Sequence, residues 1–337
     1  MTTIAESAIT SSEVGTLWMT YQFKSLMIEF NKYFSGKSED KTAKKILDYN
    51  VKENAKLLDG IKNIYDKENA AVPIAFDDRD IFNDAPSLFD DIFHIMFLRV
   101  LTKIDLGFNT VHFGMSYRDD ITKFYESSVK LSQNIYILCT DYLREQGVLP
   151  KPPYVSMPKE VEFIEEKKYM SGIQLFGNKR ALNTLEIAYL FQIIETNITG
   201  MQLMTGFAQV AKEKEVKEYF ISGKELSKKI VSDLSSVLLQ SDIQPPSTWA
   251  GKATDSVVPP FTDKIMMFCT NILASTALGN NALGMSFSMR SDLPAKLSVI
   301  AKDTFDYARE GGKLMIKHKW LEEPPQMEDR NLLMQSK

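Results

Sequence analysis

The chain has 337 residues, enough for two domains of ordinary size. Its 44% apolar content can form packed cores, and 40 basic against 44 acidic residues do not favour nucleic acid as a partner. Two cysteines, Cys139 and Cys269, are too few for a disulfide scaffold. Their apolar surroundings predict buried, unreactive thiols.

The N-terminus and one uncharged segment bear on where the protein resides. Residues 1–14 are polar and acidic, unlike a secretory signal peptide, so we expect a cytoplasmic location. Residues 265–289 lack charge and are long enough to span a bilayer, but their Thr, Ser, Asn and Gly residues are unfavourable in hydrocarbon. We therefore predict a core helix buried on several faces and no membrane span. Such a helix also favours protein partners or self-association.

The second half of the chain repeats the first. Residues 73–153 align without a gap on residues 245–325, at a shift of 172 residues, and the match slips by about one residue upstream. Prolines, glycines and an Arg-x-Asp motif coincide in this register. A period this long indicates tandem domains, because solenoid repeats are much shorter.

Helical periodicity predicts four helices in the first repeat. The first covers residues 13–34, and the second follows Ser38, a plausible N-cap. Ser87 and Asp90 have capping-box spacing at the start of the third. The fourth has the clearest apolar seam, with steps of three and four that suit an antiparallel helix bundle. The seam contains Ile121, Phe124, Ser128, Leu131, Ile135, Leu138 and Tyr142.

The second repeat gives the same order of elements and no convincing strand. Its predicted helices cover residues 186–209 and 212–240, begin again at residue 261, and end with residues 292–318. A proline-rich strap closes each repeat. The predicted organisation is a first bundle with its strap at 1–160, a linker at 161–184, and a second bundle with its strap at 185–337.

Several segments resemble a family of tandem ferritin-like proteins of unknown function from spore-forming Gram-positive bacteria. These segments are residues 182–187, 206–210, 260–268, 320–326 and 329–330. The resemblance covers nearly the whole chain and is more specific in the second half. It implies an all-α fold of two tandem ferritin-like antiparallel four-helix bundles and a relation to spore-coat-type proteins. It implies no reaction, because the family has no catalytic motif that can be transferred to this chain.

A ferritin-like bundle raises the question of a di-metal site. Such a site needs Glu from two helices and Glu-x-x-His from each of two others, and none of the three histidines lies in that motif. Asp91-x-x-His94 comes nearest, but Met266 replaces the histidine in the second repeat. We expect no cofactor. The alternative is one irregular metal site formed by Glu29, Asp91, His94 and Glu126; otherwise His94 is hydrogen-bonded at a helix start.

Charged residues recur at one junction of both repeats, where Arg118 and Asp120 align with Arg290 and Asp292. We interpret each Arg–Asp pair as an ion pair or cap at a tight helix junction, in preference to an anion site. Asp91 and Asp263 likewise recur as helix-start residues.

The sequence therefore favours a non-enzymatic structural or interaction protein of a spore-former, located in the cytoplasm or associated with the spore coat. The alternative is a ferritin-like module that binds a metal or a small ligand. A small-molecule ligand, as distinct from the metal, would lie in the second bundle, where the uncharged helix contains many small residues.

Overall fold

The computed structural model describes residues 8–172, 179–246 and 252–335. This part of the chain is helical and contains no β-strand, which confirms the predicted all-α class. Residues 173–178 of the predicted linker lie outside the described residues.

Each half contributes four long helices. In the first half these are α1 (Ser11–Lys37), α2 (Lys41–Lys67), α3 (Asp91–Phe113) and α4 (Asp119–Glu145). In the second half they are α5 (Thr184–Val210), α6 (Lys214–Leu239), α7 (Asp263–Phe287) and α8 (Asp292–Lys317). A short helix, α9 (Arg330–Gln335), follows.

Successive helices pack as hairpins, because short connections return the chain along the preceding helix. In the first half α1 pairs with α2 and α3 with α4; the hairpins then meet through α1 against α3 and α2 against α4. The second half repeats this scheme with α5 to α8. The interior enclosed by four helices is therefore the natural place to look for a site in either half.

Three local predictions were wrong. Asp40, not Ser38, caps α2, since its carboxylate accepts the backbone N–H groups of Thr42 and Ala43. Asp90, not Ser87, caps α3. In the seam of α4, Leu138 is exposed, and the adjacent Cys139 takes the buried position.

The uncharged segment that starts at residue 265 forms most of α7, and its burial changes along the helix. Residues near its start, including Ile265, Met267 and Cys269, are buried in the core. Leu283 and Phe287 near its end are exposed, so burial on several faces is limited to the first part of the helix. None of the described helices is long and apolar enough to cross a membrane.

One hydrophobic core extends through both halves, and a second, smaller cluster lies within the second half. At the centre of the shared core Phe30 of α1 lies 4.4 Å from Phe261 and 6.1 Å from Phe207 of α5, measured between ring centroids. Phe89 packs so closely on Gly206 that a Cβ atom at this glycine would overlap its ring. The halves are therefore held together by direct packing of buried side chains.

The junction is pseudo-symmetric. The backbone N–H of Phe82 donates to Pro260 O at 2.8 Å, and the equivalent N–H of Thr254 donates to Leu88 O at 2.9 Å. Phe82 and Thr254 occupy equivalent positions of the two repeats, 172 residues apart, and so do Leu88 and Pro260. Each half therefore makes the same hydrogen bond to the other, which is the pattern of an isologous two-fold interface. The same segments form the bridges Ile81 with Phe261 and Phe89 with Ala253.

One ion cluster breaks this symmetry. Arg99 and Lys103 of α3 contact the carboxylate of Glu195 on α5 at 2.7 and 2.9 Å. Burial raises the pKa of Glu195, but the two cations outweigh it, so its pKa lies below the usual value. The equivalent positions on the other side of the junction are neutral: Asn271, Ser275 and Gln22.

Replacing Phe207 with Ala tests how much the shared core contributes. The change removes a buried ring at the junction, and we expect it to lower the free energy of unfolding by about 3–5 kcal/mol in urea denaturation. Phe305→Ala is the matched control, since Phe305 is largely exposed on α8, and its effect should stay within about 0.5 kcal/mol. Equal effects of the two substitutions would contradict a shared core.

Candidate functional site

Asp91 and His94 are the two predicted metal ligands that the structure brings together. His94 Nδ1 lies 3.4 Å from Asp91 Oδ1, and the buried imidazole stacks on Phe34 with 4.3 Å between ring centroids. Neither ring nitrogen makes a hydrogen bond within the described residues, so the predicted hydrogen-bonded His94 is not observed. Asp91 Oδ2 instead accepts the backbone N–H groups of Glu39 and Asp40 at 3.0 and 2.7 Å.

These contacts also set the charge of Asp91. Burial raises its pKa, but the contact with His94 and the N–H of Asp40 lower it more, so the pKa lies well below its usual range. Asp91 is therefore ionised and holds the two residues that precede α2, the second of which is the N-cap Asp40.

The other two predicted ligands lie apart from this pair. Glu29 is buried and contacts Lys32 at 2.8 Å; burial raises its pKa, and Lys32 only partly offsets that effect. Glu126 is exposed on α4 and pairs with Lys130 at 2.6 Å. Across residues 8–172, 179–246 and 252–335 no group of three or more His, Cys, Asp or Glu side chains is arranged to hold a metal ion.

The second half repeats these contacts of Asp91 at the equivalent position of the repeat. Asp263, the first residue of α7, accepts the backbone N–H groups of Lys212 and Glu213 at 3.1 and 2.8 Å. In both halves, then, a carboxylate on the third helix fixes the start of the second helix. Such N–H groups have no partner within their own helix and need one when buried.

A second carboxylate in each half also holds the start of a helix, and it was not predicted from the sequence. Glu13 of α1 is fully buried, and its Oε1 accepts the N–H groups of Tyr117 and Arg118, at the start of α4, at 2.8 and 2.7 Å. Glu186 of α5 does the same for Met289 and Arg290 at 3.1 and 2.9 Å.

Local sequence offered a signal for these two glutamates. Both complete a capping box, with Thr10 before Glu13 and Asn183 before Glu186. Burial raises the pKa of each carboxyl, but hydrogen bonds outweigh it, so both pKa values are lowered and both groups are ionised at neutral pH.

The repeated arginines close the same junction. Arg118 Nε donates to Asp120 Oδ1 at 2.8 Å, and Arg290 Nε donates to Asp292 Oδ1 at the same distance. Arg118 also pairs with Glu68. Because both guanidinium groups are buried among these partners, they organise the turn before the fourth helix in each half.

A polar cluster occupies the interior of the first half. Lys24 of α1 is fully buried, and its ammonium lies 3.1 Å from Asp105 Oδ2 on α3 and 3.0 Å from Asn54 Oδ1 on α2. Ser132 of α4 donates to Asp105 Oδ2 at 2.6 Å. One side chain from each helix therefore meets in this cluster. A lone lysine and a lone aspartate on separate helices give no sequence signal for such a pair.

Chemically, the cluster is a satisfied ion pair. The ammonium of Lys24 is held by three acceptor atoms and the carboxylate of Asp105 by two donors. Ion pairs of this kind hold helices in one register at a high desolvation cost. The cluster therefore stabilises the arrangement of the four helices, and its charged groups are already bound to one another.

We expect the Lys24 pair to be costly to break. Lys24→Met leaves Asp105 buried without its counter-ion and should lower the free energy of unfolding by about 3–5 kcal/mol, whereas adding Asp105→Leu should restore part of that loss. Lys56→Met is the control, because it breaks an exposed pair with Glu53 and should change stability by less than about 1 kcal/mol. The measurement is urea denaturation of the wild type, the two single variants and the double variant. A loss of less than about 1 kcal/mol in Lys24→Met alone would contradict the role of the pair.

His112 gives this interior a pH dependence. Burial lowers its pKa from 6.5 to about 4, and its Nδ1 lies 3.2 Å from the Thr20 hydroxyl. Between these pH values the unfolded chain binds a proton that the folded chain does not. Stability should therefore fall as the pH drops from about 6.5 to about 4, by up to about 1.4 kcal/mol per pH unit from this group.

The measurement is the free energy of unfolding of the wild type and of His112→Gln at several pH values. The wild type should show the steeper fall in that range. Parallel curves would contradict a buried, neutral His112.

A family model described as "Protein of unknown function (DUF3231)" matches residues 2–161 and again residues 170–333. The chain therefore belongs to this family and contains two copies of its domain. Among solved structures it is similar to a putative spore coat protein from Bacillus halodurans C-125, with 16% sequence identity and a TM-score of 0.42. That match covers 44% of this chain and 98% of the other. None of the curated proteins matches the chain.

Proposed function

We propose that this member of the DUF3231 family is a non-enzymatic structural protein that binds other proteins in a spore-forming cell, as part of the spore coat. We further propose that its halves are ferritin-like four-helix bundles, at residues 1–160 and 185–337, joined by a linker at 161–184. The paired hairpins of α1 to α4 and of α5 to α8 support this assignment.

The roles of the buried titratable groups support a non-enzymatic protein. The carboxylates of Glu13, Glu186, Asp91 and Asp263 are engaged by backbone N–H groups of neighbouring helices. Lys24 and Asp105 neutralise each other. Burial raises the pKa of both cysteine thiols, which keeps them protonated and weakly nucleophilic.

The observation that carries the proposal is the extended strap, residues 150–166, which consists of the proline-rich strap of the first half and the first six residues of the linker. It lies on the surface, and Tyr154, Val161 and Phe163 are 95%, 86% and 84% exposed. Large apolar side chains grouped in this way mark protein interaction sites, since covering them releases about 25 cal/mol per Å² of apolar surface. Lysines and glutamates alternate with them in the strap, which suits a protein partner of mixed charge.

The sequence resemblance to spore-coat-type proteins supports the spore as the location of that partner. The two halves are fixed to each other by a shared core, and we propose that they act as a rigid body that presents the strap to its partner.

The test is a triple substitution in the strap, Tyr154→Ser with Val161→Ser and Phe163→Ser, expressed in a sporulating host. We expect the wild type in the purified spore coat fraction and at least a tenfold loss of the variant from it, at equal abundance in the mother cell. The matched control is Ile74→Ser with Val299→Ser and Phe305→Ser, three exposed apolar side chains outside the strap. Absence of the wild type from spores, or equal retention of both variants, would overturn the proposal.

A further inference from the structure

The second half has a cavity where the first half has its ion pair. In the repeat register uncharged side chains, most of them smaller, replace the polar cluster and Asn50, which accepts a hydrogen bond from Asn54, and a cavity of about 70 Å³ lies among them. The replacements are Asn197 for Lys24, Gly223 for Asn50, Ser227 for Asn54, Ala277 for Asp105 and Thr304 for Ser132. All five second-half residues line the cavity, and they come from all four helices α5 to α8.

The packing of two tyrosines fixes one wall of this cavity. Tyr307 of α8 lines it and stacks on Tyr219 of α6, with 4.3 Å between ring centroids and 2° between ring planes. A Cβ atom at Gly223 would overlap the hydroxyl of Tyr307, and one at Gly311 would overlap that of Tyr219. Each ring thus occupies space that a larger residue than glycine would fill, and Tyr307 is held there by its hydroxyl contact with Met204 Sδ at 3.6 Å.

The hydrogen bonds of the lining determine what kind of molecule fits. The hydroxyls of Thr196, Thr270 and Thr304 donate to backbone carbonyls of their own helices at 2.8–2.9 Å. The amide of Asn197 likewise donates to Ile193 O at 2.9 Å. The threonine protons are used in these bonds, so the threonine oxygens remain as acceptors, whereas Asn197 keeps a second amide N–H and Ser227 keeps its hydroxyl. The complementary ligand therefore carries a group that both donates and accepts, such as a hydroxyl.

The charge of the lining and the size of the cavity further restrict the class of ligand. The lining consists of neutral side chains, with Met204, Leu226 and Leu273 supplying apolar surface. An apolar cavity of roughly 150 Å³ accepts benzene, so one of about half that volume fits a smaller molecule. The complementary ligand is neutral, has an apolar body of about four carbons, and carries one hydroxyl group.

A second cavity lies beside the first, at the junction of the two halves. It measures about 100 Å³ and shares Thr196 and Leu273 with the inner cavity. Lys103 and Gln192 line its outer part, and the ammonium of Lys103 is held by Gln192 Oε1 at 3.1 Å. The lining of this cavity comes from α3, α5 and α7, so the cavity lies next to the inner one and beside the ion cluster of Glu195.

We propose that the interior of the second half binds a small neutral alcohol. The site is formed by the loss of the buried ion pair that fills the same place in the first half. It does not depend on the strap or on its partner.

Saturation-transfer NMR of the full chain with isobutanol tests this directly. We expect a saturable signal with a dissociation constant on the order of 1 mM. Ala277→Leu fills the cavity from α7 and should weaken binding at least tenfold. Ala282→Leu, the same change at an exposed position of the same helix, should leave it unchanged.

Absence of a saturable signal in the wild type would overturn the proposal, as would unchanged binding by a folded Ala277→Leu. If that variant does not fold, Met204→Ala provides the second test. It enlarges the cavity, so the preference for cyclohexanol over isobutanol should rise at least fivefold. An unchanged preference would also overturn the site.

Discussion

The structure depends on four carboxylates, three of them buried and one partly buried, that hold the starts of helices other than their own. Glu13 and Glu186 bind the N–H groups before the fourth helix of each half, and Asp91 and Asp263 bind those before the second. The first N–H groups of a helix lack partners within it, and leaving them unpaired in a protein interior is costly. Because each carboxylate lies on a neighbouring helix, satisfying these groups also fixes the position of one helix against the next. The same geometry in both halves, at equivalent positions, gives the chain one scaffold used twice.

That scaffold allows the two interiors to differ. With the helix ends fixed from outside, the centre of the first half holds Lys24 against Asp105, while Asn197 and Ala277 leave open volume in the second. A buried ion pair is a poor source of net stability compared with apolar packing, so its replacement is tolerated when the helices are held elsewhere. The junction shows the same tendency: its backbone pairing is symmetric, yet only one side carries the cluster of Arg99, Lys103 and Glu195. Fold and interior chemistry are therefore set by different residues.

The sequence predicts the features that depend on neighbours along the chain and misses those that depend on distant ones. Periodicity and the repeat predicted all eight long helices of the described residues, each starting within a few residues of its observed start, and the repeat register aligned Asp91 with Asp263. Ser38 was a reasonable cap by local rules, but Asp91 binds the N–H groups of Glu39 and Asp40, so the helix begins later. The buried pair of Lys24 and Asp105 joins residues on different helices, and nothing within either helix distinguishes that lysine from one on the surface. The cavity is still harder to foresee, because it follows from a comparison of the two interiors at side-chain detail.

A crystal structure that resolves ordered solvent would test the claim of one scaffold with two interiors most directly. The account predicts that Glu13 and Glu186 both bind the backbone before the fourth helix, that Lys24 contacts Asp105, and that the space between Asn197 and Ala277 contains density not belonging to the protein. A second-half interior closed by its own side chains, or a Lys24 ammonium directed away from Asp105, would contradict it.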